Sequence, residues 1–208
     1  MSVKSYPIQL RIEGRPVLVV GGGRVATRKI ERLVSCRANV KVVAPEVSGP
    51  VRRLAEHADI EVALRPATDS DAEGMFMVIA ASNDANVNAA LCRAGRRCGA
   101  LVSSVDAPEQ GDFTLPSWAH ADHVEATIST GGAAPAASRR LGKELARWLL
   151  AGPDRFVAEL SRARRVLKGR PDAAARLRSL ASGPLFEACA SGDDPRIQGL
   201  IDAALEEP

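Results

Sequence analysis

The chain has 208 residues, a formal net charge of +3, 46% hydrophobic residues and only 3% aromatic residues. That length and apolar content suffice for one α/β domain with a smaller appendage. So few aromatic residues exclude the stacking platforms that bind single-stranded nucleic acid, and no apolar run reaches the length of a membrane span.

Residues 6–12 read as a short lead-in strand and Glu13-Gly14-Arg15 as a turn. Strand one follows over Pro16–Val20. Its unbroken apolar run, Val17-Leu18-Val19-Val20, lacks the polar alternation of a half-exposed sheet, so both faces should be covered, as in a parallel α/β sheet. Three glycines come next, and Gly21-x-Gly23-x-x-Ala26 matches the small-residue form of the dinucleotide fingerprint. Gly21 permits the tight turn, Gly23 admits a pyrophosphate close to the backbone, and Ala26 lets the next helix pack on the strand. That helix is predicted over Arg24–Ser35, with Val25, Ile30, Leu33 and Val34 on its buried side.

Strands are expected at residues 40–44, 60–64, 75–81 and 100–105, with helices at 50–57 and, capped by Asp84 or a neighbour, up to Arg97. This β-α-β-α-β-β-α-β order describes an N-terminal Rossmann-like parallel sheet. Beyond it, residues 113–116 look briefly extended and residues 124–130 alternate like a strand with one open face. Gly131-Gly132 forms a joint before a basic helix over Pro135–Leu150. Breaks at Gly169-Arg170-Pro171, Ser182-Gly183-Pro184 and Ser191-Gly192-Asp193-Asp194-Pro195 divide the rest into three or four short helices, a C-terminal helical module.

Ligands of open parallel sheets collect beyond the carboxyl ends of the strands. Four loops qualify: Gly21-Gly22-Gly23, Ala44-Pro45-Glu46, Ala80-Ala81-Ser82-Asn83 and Ser103-Ser104-Val105-Asp106. Ala81 and Ser82 are small enough for a nicotinamide or ribose to lie against the backbone. Strand two lacks a terminal acid for the adenosine ribose; the nearest is Glu46, and no basic residue waits there for a 2′-phosphate. NAD is the expected cofactor. Asp106, at a strand end before Ala107-Pro108, is expected to face the cleft as a partly desolvated general base; such groups contribute about 10²–10⁴-fold. The other reading of Asp106 is a turn-forming residue before proline.

Cys36, Cys92, Cys98 and Cys189 show neither a CxxC pair nor zinc spacing and read as small hydrophobes in a reducing cytosol. Residues 1–8 are short and polar, unlike a signal peptide, so a cytoplasmic location is expected. His120-x-x-His123 lacks a third ligand, and no metal site is expected. Arg139, Arg140, Lys143 and Arg147, followed by Arg162, Arg164, Arg165, Lys168 and Arg170, form either a solvated face or a basic wall for a polycarboxylate.

The ordered set of motifs resembles the sirohaem synthase N-terminal family. It runs from Gly21-Gly22-Gly23-Arg24-Val25-Ala26-Thr27-Arg28-Lys29 through Val42-Val43-Ala44-Pro45 and Val78-Ile79-Ala80-Ala81-Ser82-Asn83 with Val87-Asn88. It continues through Val102-Ser103-Ser104-Val105-Asp106-Ala107-Pro108 to Ile128-Ser129-Thr130-Gly131-Gly132, and covers roughly residues 5–150. The sequence departs from the family at Ser82-Asn83, Ser103 and Ala134. The resemblance implies NAD-dependent oxidation of precorrin-2 to sirohydrochlorin and, in bifunctional members, insertion of Fe²⁺. It places the important aspartate at Asp106. It places cofactor contacts at Gly21, Gly22, Gly23, Arg24, Val25, Pro45 and Glu46, and a substrate contact at Ser129. The loop reading adds Ala81 and Ser82 on the cofactor side, and Gly131, Gly132 and Arg28 are expected at the substrate. The resemblance also implies a homodimer, with the segment after Phe113 crossing to the partner, no nucleic acid and no membrane. The expected organisation is an NAD-binding domain at 1–112, a dimerisation segment at 113–150 and the helical module at 151–208. A non-catalytic regulator that binds NAD or a tetrapyrrole is the alternative.

Overall fold

A computed structural model describes residues 5–58 and 60–206 of the chain. Two compact units divide at Leu115 and Pro116.

The first unit contains β1 (Pro16–Val20), α1 (Arg24–Ser35), β2 (Asn39–Val43), α2 (Gly49–His57), β3 (Ile60–Ala63), β4 (Met77–Ala80), α3 (Ala85–Arg97) and β5 (Leu101–Ser104). The five strands form one parallel sheet in the order β3-β2-β1-β4-β5. Parallel neighbours need a crossover, which α1 supplies between β1 and β2. The β1 side chains explain its apolar run. Val17 and Val19 join a core with Ala26, Ile30 and Leu33 of α1 and Val51 of α2. Leu18 and Val20 join a second core with Leu91, Cys92 and Ala94 of α3. The sheet is thus covered on both faces, and each fully buried Leu or Ile stabilises it by roughly 1.5–3 kcal/mol.

Three local expectations need correction. Residues 6–12 form no strand; Tyr6, Ile8 and Leu10 alternate but are 88%, 67% and 41% exposed, and only Ile12 turns into the core. Val25 is not on the buried side of α1, being 45% exposed; Ala26 and Thr27 are buried there instead. A short 3₁₀ turn over Asp69–Ala72 was not expected. It carries buried Asp71, whose carboxylate takes a two-pronged bond from Arg65 at 2.8 and 2.6 Å and another from the Thr68 N–H at 2.9 Å.

The second unit begins with β6 (Ser117–His120) and β7 (Glu125–Ile128), an antiparallel pair in the register Ser117↔Ile128 to His120↔Glu125. Residues 113–116 join no strand ladder. Phe113 packs into the first unit's core, and Pro116 has no N–H to give a ladder. Strand β7 alternates as expected, with Ala126 and Ile128 half-buried and Glu125 and Thr127 exposed. Helix α4 (Pro135–Leu150) lies against β6 so closely that a Cβ on Gly142 would meet Ser117 Oγ at 2.2 Å.

Helices α5 (Pro153–Val166), α6 (Ala173–Ser182), α7 (Leu185–Ser191) and α8 (Asp194–Leu205) follow. Ala163, Leu180, Leu185, Ala188, Cys189, Ile197 and Ile201 make their core. Each break falls where Gly and Pro interrupt the pattern. Arg170 and Arg176 donate to the Leu205 and Ala204 carbonyls at 3.1 and 3.0 Å, satisfying the open end of α8. Arg170 therefore leaves the expected basic wall for a structural role.

Candidate functional site

The carboxyl ends of β1, β2, β4 and β5 lie side by side in one sheet, so their loops share one edge. The three glycines at the first of these ends differ in what holds them. Gly21 has φ +122°, a left-handed conformation that disfavours a side chain, and its added Cβ would lie 2.3 Å from the Ala81 carbonyl oxygen. A Cβ on Gly22 would lie 2.2 Å from the Glu46 carbonyl oxygen. These two glycines bring the β1 loop against the β4 and β2 loops. Gly23 is different. Its φ of −83° suits any residue, and a Cβ there would meet nothing within 4 Å. No contact within the chain demands glycine at this position.

Gly23 opens α1, whose N-terminus has no side-chain cap and no acidic residue in its first turn. Open N–H groups and the helix dipole favour an anion there. Arg24 and Val25 are exposed on that first turn. Thr27 is held inward: it donates to the Gly23 carbonyl at 3.0 Å and shares a 3.1 Å hydroxyl bond with Ser48. Arg24, Thr27, Arg28 and Ser48 line a cavity of about 310 Å³ that Glu31 and Pro50 complete. Burial, with Arg32 and Arg28 adding repulsion, pushes the Lys29 ammonium below its ordinary value. Pro45 and Glu46 are exposed after β2.

The β4 and β5 ends are joined by side chains. Ala81 is buried and Ser82 half-buried. The Ser82 hydroxyl lies 2.8 Å from Asn88 Oδ1 and 3.0 Å from the Asp84 carbonyl, so it is engaged within the chain and offers a ligand chiefly its backbone. Asp106 stands two residues past β5. The Ser104 hydroxyl donates to its Oδ1 at 2.5 Å and the Asn88 amide at 2.9 Å. Ser104, and behind it Asn88, hold the carboxyl below the usual carboxylate value against a weaker desolvation. Asp106 is thus exposed but still partly desolvated, and the Ser104 bond outweighs that desolvation.

The sequence showed Asn88 and Ser104 only as members of motifs, with no role of their own. Asn88 shares a helix face with Leu91, Cys92 and Gly95, all buried, so its amide had to be buried too and had to find partners inside.

The remaining expected residues belong to the second unit. Ser129 is exposed just past β7, and its hydroxyl accepts from the Gly131 N–H at 3.2 Å. Gly131 and Gly132 have φ of +58° and +84°, so the backbone reverses there before α4. On α4, Arg140 and Arg147 both pair with Glu144, at 2.9 and 2.7 Å, while Arg139 and Lys143 lie exposed. His123 is engaged by Asp154, which accepts from its backbone N–H at 2.6 Å. Among the described residues, no helix is long and apolar enough to cross a membrane.

A family described as "Putative NAD(P)-binding" matches residues 8–117. A siroheme synthase from Nitrosococcus oceani is 31% identical over 204 residues, 96% of this chain and 44% of that protein. One from Methylococcus capsulatus is 38% identical over 135 residues, 65% of this chain and 28% of that protein. The chain therefore spans less than half the length of these relatives. Among solved structures, "SirC, precorrin-2 dehydrogenase" superposes with a TM-score of 0.80 at 22% identity, covering 96% of this chain and 98% of that one. At that identity the likeness speaks for the fold.

Proposed function

Since this chain belongs to a family of putative NAD(P)-binding proteins, we propose that it is an NAD-dependent precorrin-2 dehydrogenase of the sirohaem synthase N-terminal type that forms sirohydrochlorin. The observation that carries the reading is Gly23. Among the described residues nothing lies within 4 Å of a Cβ built there, yet this glycine opens a helix with no side-chain cap at the same sheet edge as the Asp106 carboxylate. Relatives named siroheme synthase and a like-folded protein named precorrin-2 dehydrogenase supply the substrate class.

The cofactor fits this edge. Gly21, Gly22 and Gly23, with Arg24 and Val25, would hold the pyrophosphate at the head of α1. Pro45 and Glu46 would serve the adenosine ribose, and the Glu46 carboxylate would favour NAD over NADP by repelling a 2′-phosphate. Ala81 and the Ser82 backbone would serve the nicotinamide. When bound, NAD⁺ supplies the hydride acceptor. Precorrin-2 loses two electrons and two hydrogens, one leaving as hydride and one as a proton. Ser104 and Asn88 donate to the Asp106 carboxylate and so favour its ionised form. Its negative charge stabilises the positive charge that hydride loss leaves on the tetrapyrrole, and its carboxylate then takes the acidic proton. Within the first unit, Arg28 is assigned to the tetrapyrrole. Within the second, taken by itself, Ser129, Gly131 and Gly132 carry the same assignment, and the exposed Arg139 and Lys143 suit carboxylates.

We assign a homodimer to the apolar stripe on α4, where Leu141 and Trp148 are 49% and 53% exposed. Fe²⁺ insertion into sirohydrochlorin is a second activity for the same carboxylate, which would take up a pyrrole N–H proton.

The test is to mix the protein with precorrin-2 and NAD⁺ and follow the tetrapyrrole spectrum and NADH fluorescence. Both should rise together. NAD⁺ binding with no spectral change would favour the regulatory reading. Sirohydrochlorin with Fe²⁺ and no NAD⁺ tests the chelatase separately, by appearance or absence of the sirohaem spectrum.

A further inference from the structure

Asn88 is 1% exposed, on the second turn of α3. Its Oδ1 accepts from the Ser82 N–H at 3.0 Å and lies 2.8 Å from the Ser82 hydroxyl. Its Nδ2 donates to the Ser82 carbonyl at 3.1 Å and to Asp106 Oδ1 at 2.9 Å. The backbone fixes which end is which. A peptide N–H only donates and a peptide C=O only accepts, so the amide has one orientation, and that orientation delivers a donor to Asp106. All four of its hydrogen-bonding sites are used. The helix beneath it is anchored as well, because Asp84 caps α3 through the Asn86 and Val87 N–H groups at 2.8 and 3.4 Å.

We propose that Asn88 is the positioning residue of the site: its amide clamps the Ser82 peptide after β4 and the Asp106 carboxylate after β5 into one rigid unit. The clamp keeps the nicotinamide-side backbone and the charge that faces the substrate at a fixed spacing. A shift of about 1 Å in such a spacing is enough to cost on the order of 10²-fold in rate. Ser104 completes the clamp from β5 by binding the same carboxylate oxygen. The catalytic meaning of the clamp rests on the dehydrogenase reading, while the clamp itself is a property of the first unit alone.

Few other titratable groups compete for this surrounding. Cys92, one turn further along α3, feels Asp106 but has its thiol pushed up by burial, so it stays neutral. Arg96 on α3 is taken by Asp112 at 3.0 Å. Arg93 on α3 and Glu109 in the 3₁₀ turn after β5 are exposed. The donors, not a neighbouring cation, hold Asp106 ionised.

Asn88→Asp keeps the shape and replaces the donor facing Asp106 with a like charge. Two measurements on the folded full chain test it: carbon NMR titration of the Asp106 carboxyl, and NAD⁺ binding by calorimetry. The Asp106 proton affinity should rise at least about tenfold, the equivalent of one pKa unit. NAD⁺ affinity should fall by about tenfold as the Ser82 peptide is released. Asn88→Ser, smaller and uncharged, carries the same test if the aspartate variant does not fold, with smaller shifts in the same directions. An unchanged Asp106 titration, or an unchanged NAD⁺ affinity, in a folded variant would overturn the proposal. If the unsubstituted protein turns over no precorrin-2, the dehydrogenase reading falls, while the titration still decides whether Asn88 positions Asp106.

Discussion

Alanine at Gly22 and alanine at Gly23 should have opposite consequences, although the two residues are neighbours. At Gly22 the new Cβ would stand 2.2 Å from the Glu46 carbonyl oxygen and 2.7 Å from Val47 Cα, both backbone atoms. One loop must move, and overpacking of this kind costs about 1–3 kcal/mol. For a chain of this size each kcal/mol lowers Tm by roughly 2–4 °C, so Gly22→Ala should melt about 2–12 °C lower. At Gly23 the new Cβ meets nothing within 4 Å. The poorer N-cap and the reduced freedom of the unfolded chain oppose one another, leaving a net change within about 1 kcal/mol. The Gly23 variant should instead lose NAD⁺ affinity by at least about tenfold, or 1.4 kcal/mol, because the methyl group occupies the approach of the pyrophosphate. Scanning calorimetry and NAD⁺ titration on both variants separate the effects. A Gly23→Ala protein that melts as low as Gly22→Ala, or that binds NAD⁺ with unchanged Kd, would refute the assignment of Gly23 to the ligand.

Asp106→Asn should lower dehydrogenase kcat by about 10²–10⁴-fold and abolish any metal insertion. Because Ser104 and Asn88 hold its carboxyl below the usual value, any acid limb of kcat that Asp106 causes should lie below the ordinary carboxylate range of about 4, and an Asp106-dependent limb near neutrality would contradict that role. Asp71→Asn should cost about 1–3 kcal/mol in urea unfolding, since Arg65, which binds the buried carboxylate, is itself 45% exposed. The Arg65 bond holds the Asp71 carboxyl well below its ordinary value. Its stabilisation is therefore fully present above the unfolded pKa of about 3.9 and is lost as pH falls towards the lower folded value, so the two proteins should converge in stability only at strongly acid pH. Leu141→Asp with Trp148→Asp should convert a dimer to a monomer in sedimentation equilibrium, and an unchanged mass would remove the α4 stripe from the interface.

The sheet was legible because a strand covered on both faces needs apolar residues throughout, as Val17 to Val20 and Met77 to Ala80 show by their burial. The helical tail was legible because Gly and Pro punctuate it. The lead-in strand was misread because Tyr6, Ile8 and Leu10 alternate like a strand but lie exposed; alternation records spacing, not the presence of a pairing partner. Strand β6 escaped notice because only Ala119 of Ser117-Trp118-Ala119-His120 is buried, so no periodic signal precedes its pairing with β7. At the site, the glycine loop and Asp106 stood out by residue type and position. Of their supports, Asn88 acts across the fold, 18 residues from Asp106, while Ser104 is only two residues away and had no distinguishing residue type. A strand-end position suggests a cleft, but it does not show which donors bind the carboxylate there.

The central claim is that this chain moves a hydride from precorrin-2 to NAD⁺. It is tested most directly in a single turnover, with protein in excess over precorrin-2 and NAD⁺ saturating. One NADH should form for each sirohydrochlorin, at one shared rate that Asp106→Asn slows. Precorrin-2 that stays unoxidised while NAD⁺ is bound, or sirohydrochlorin that appears without a matching NADH, would contradict it.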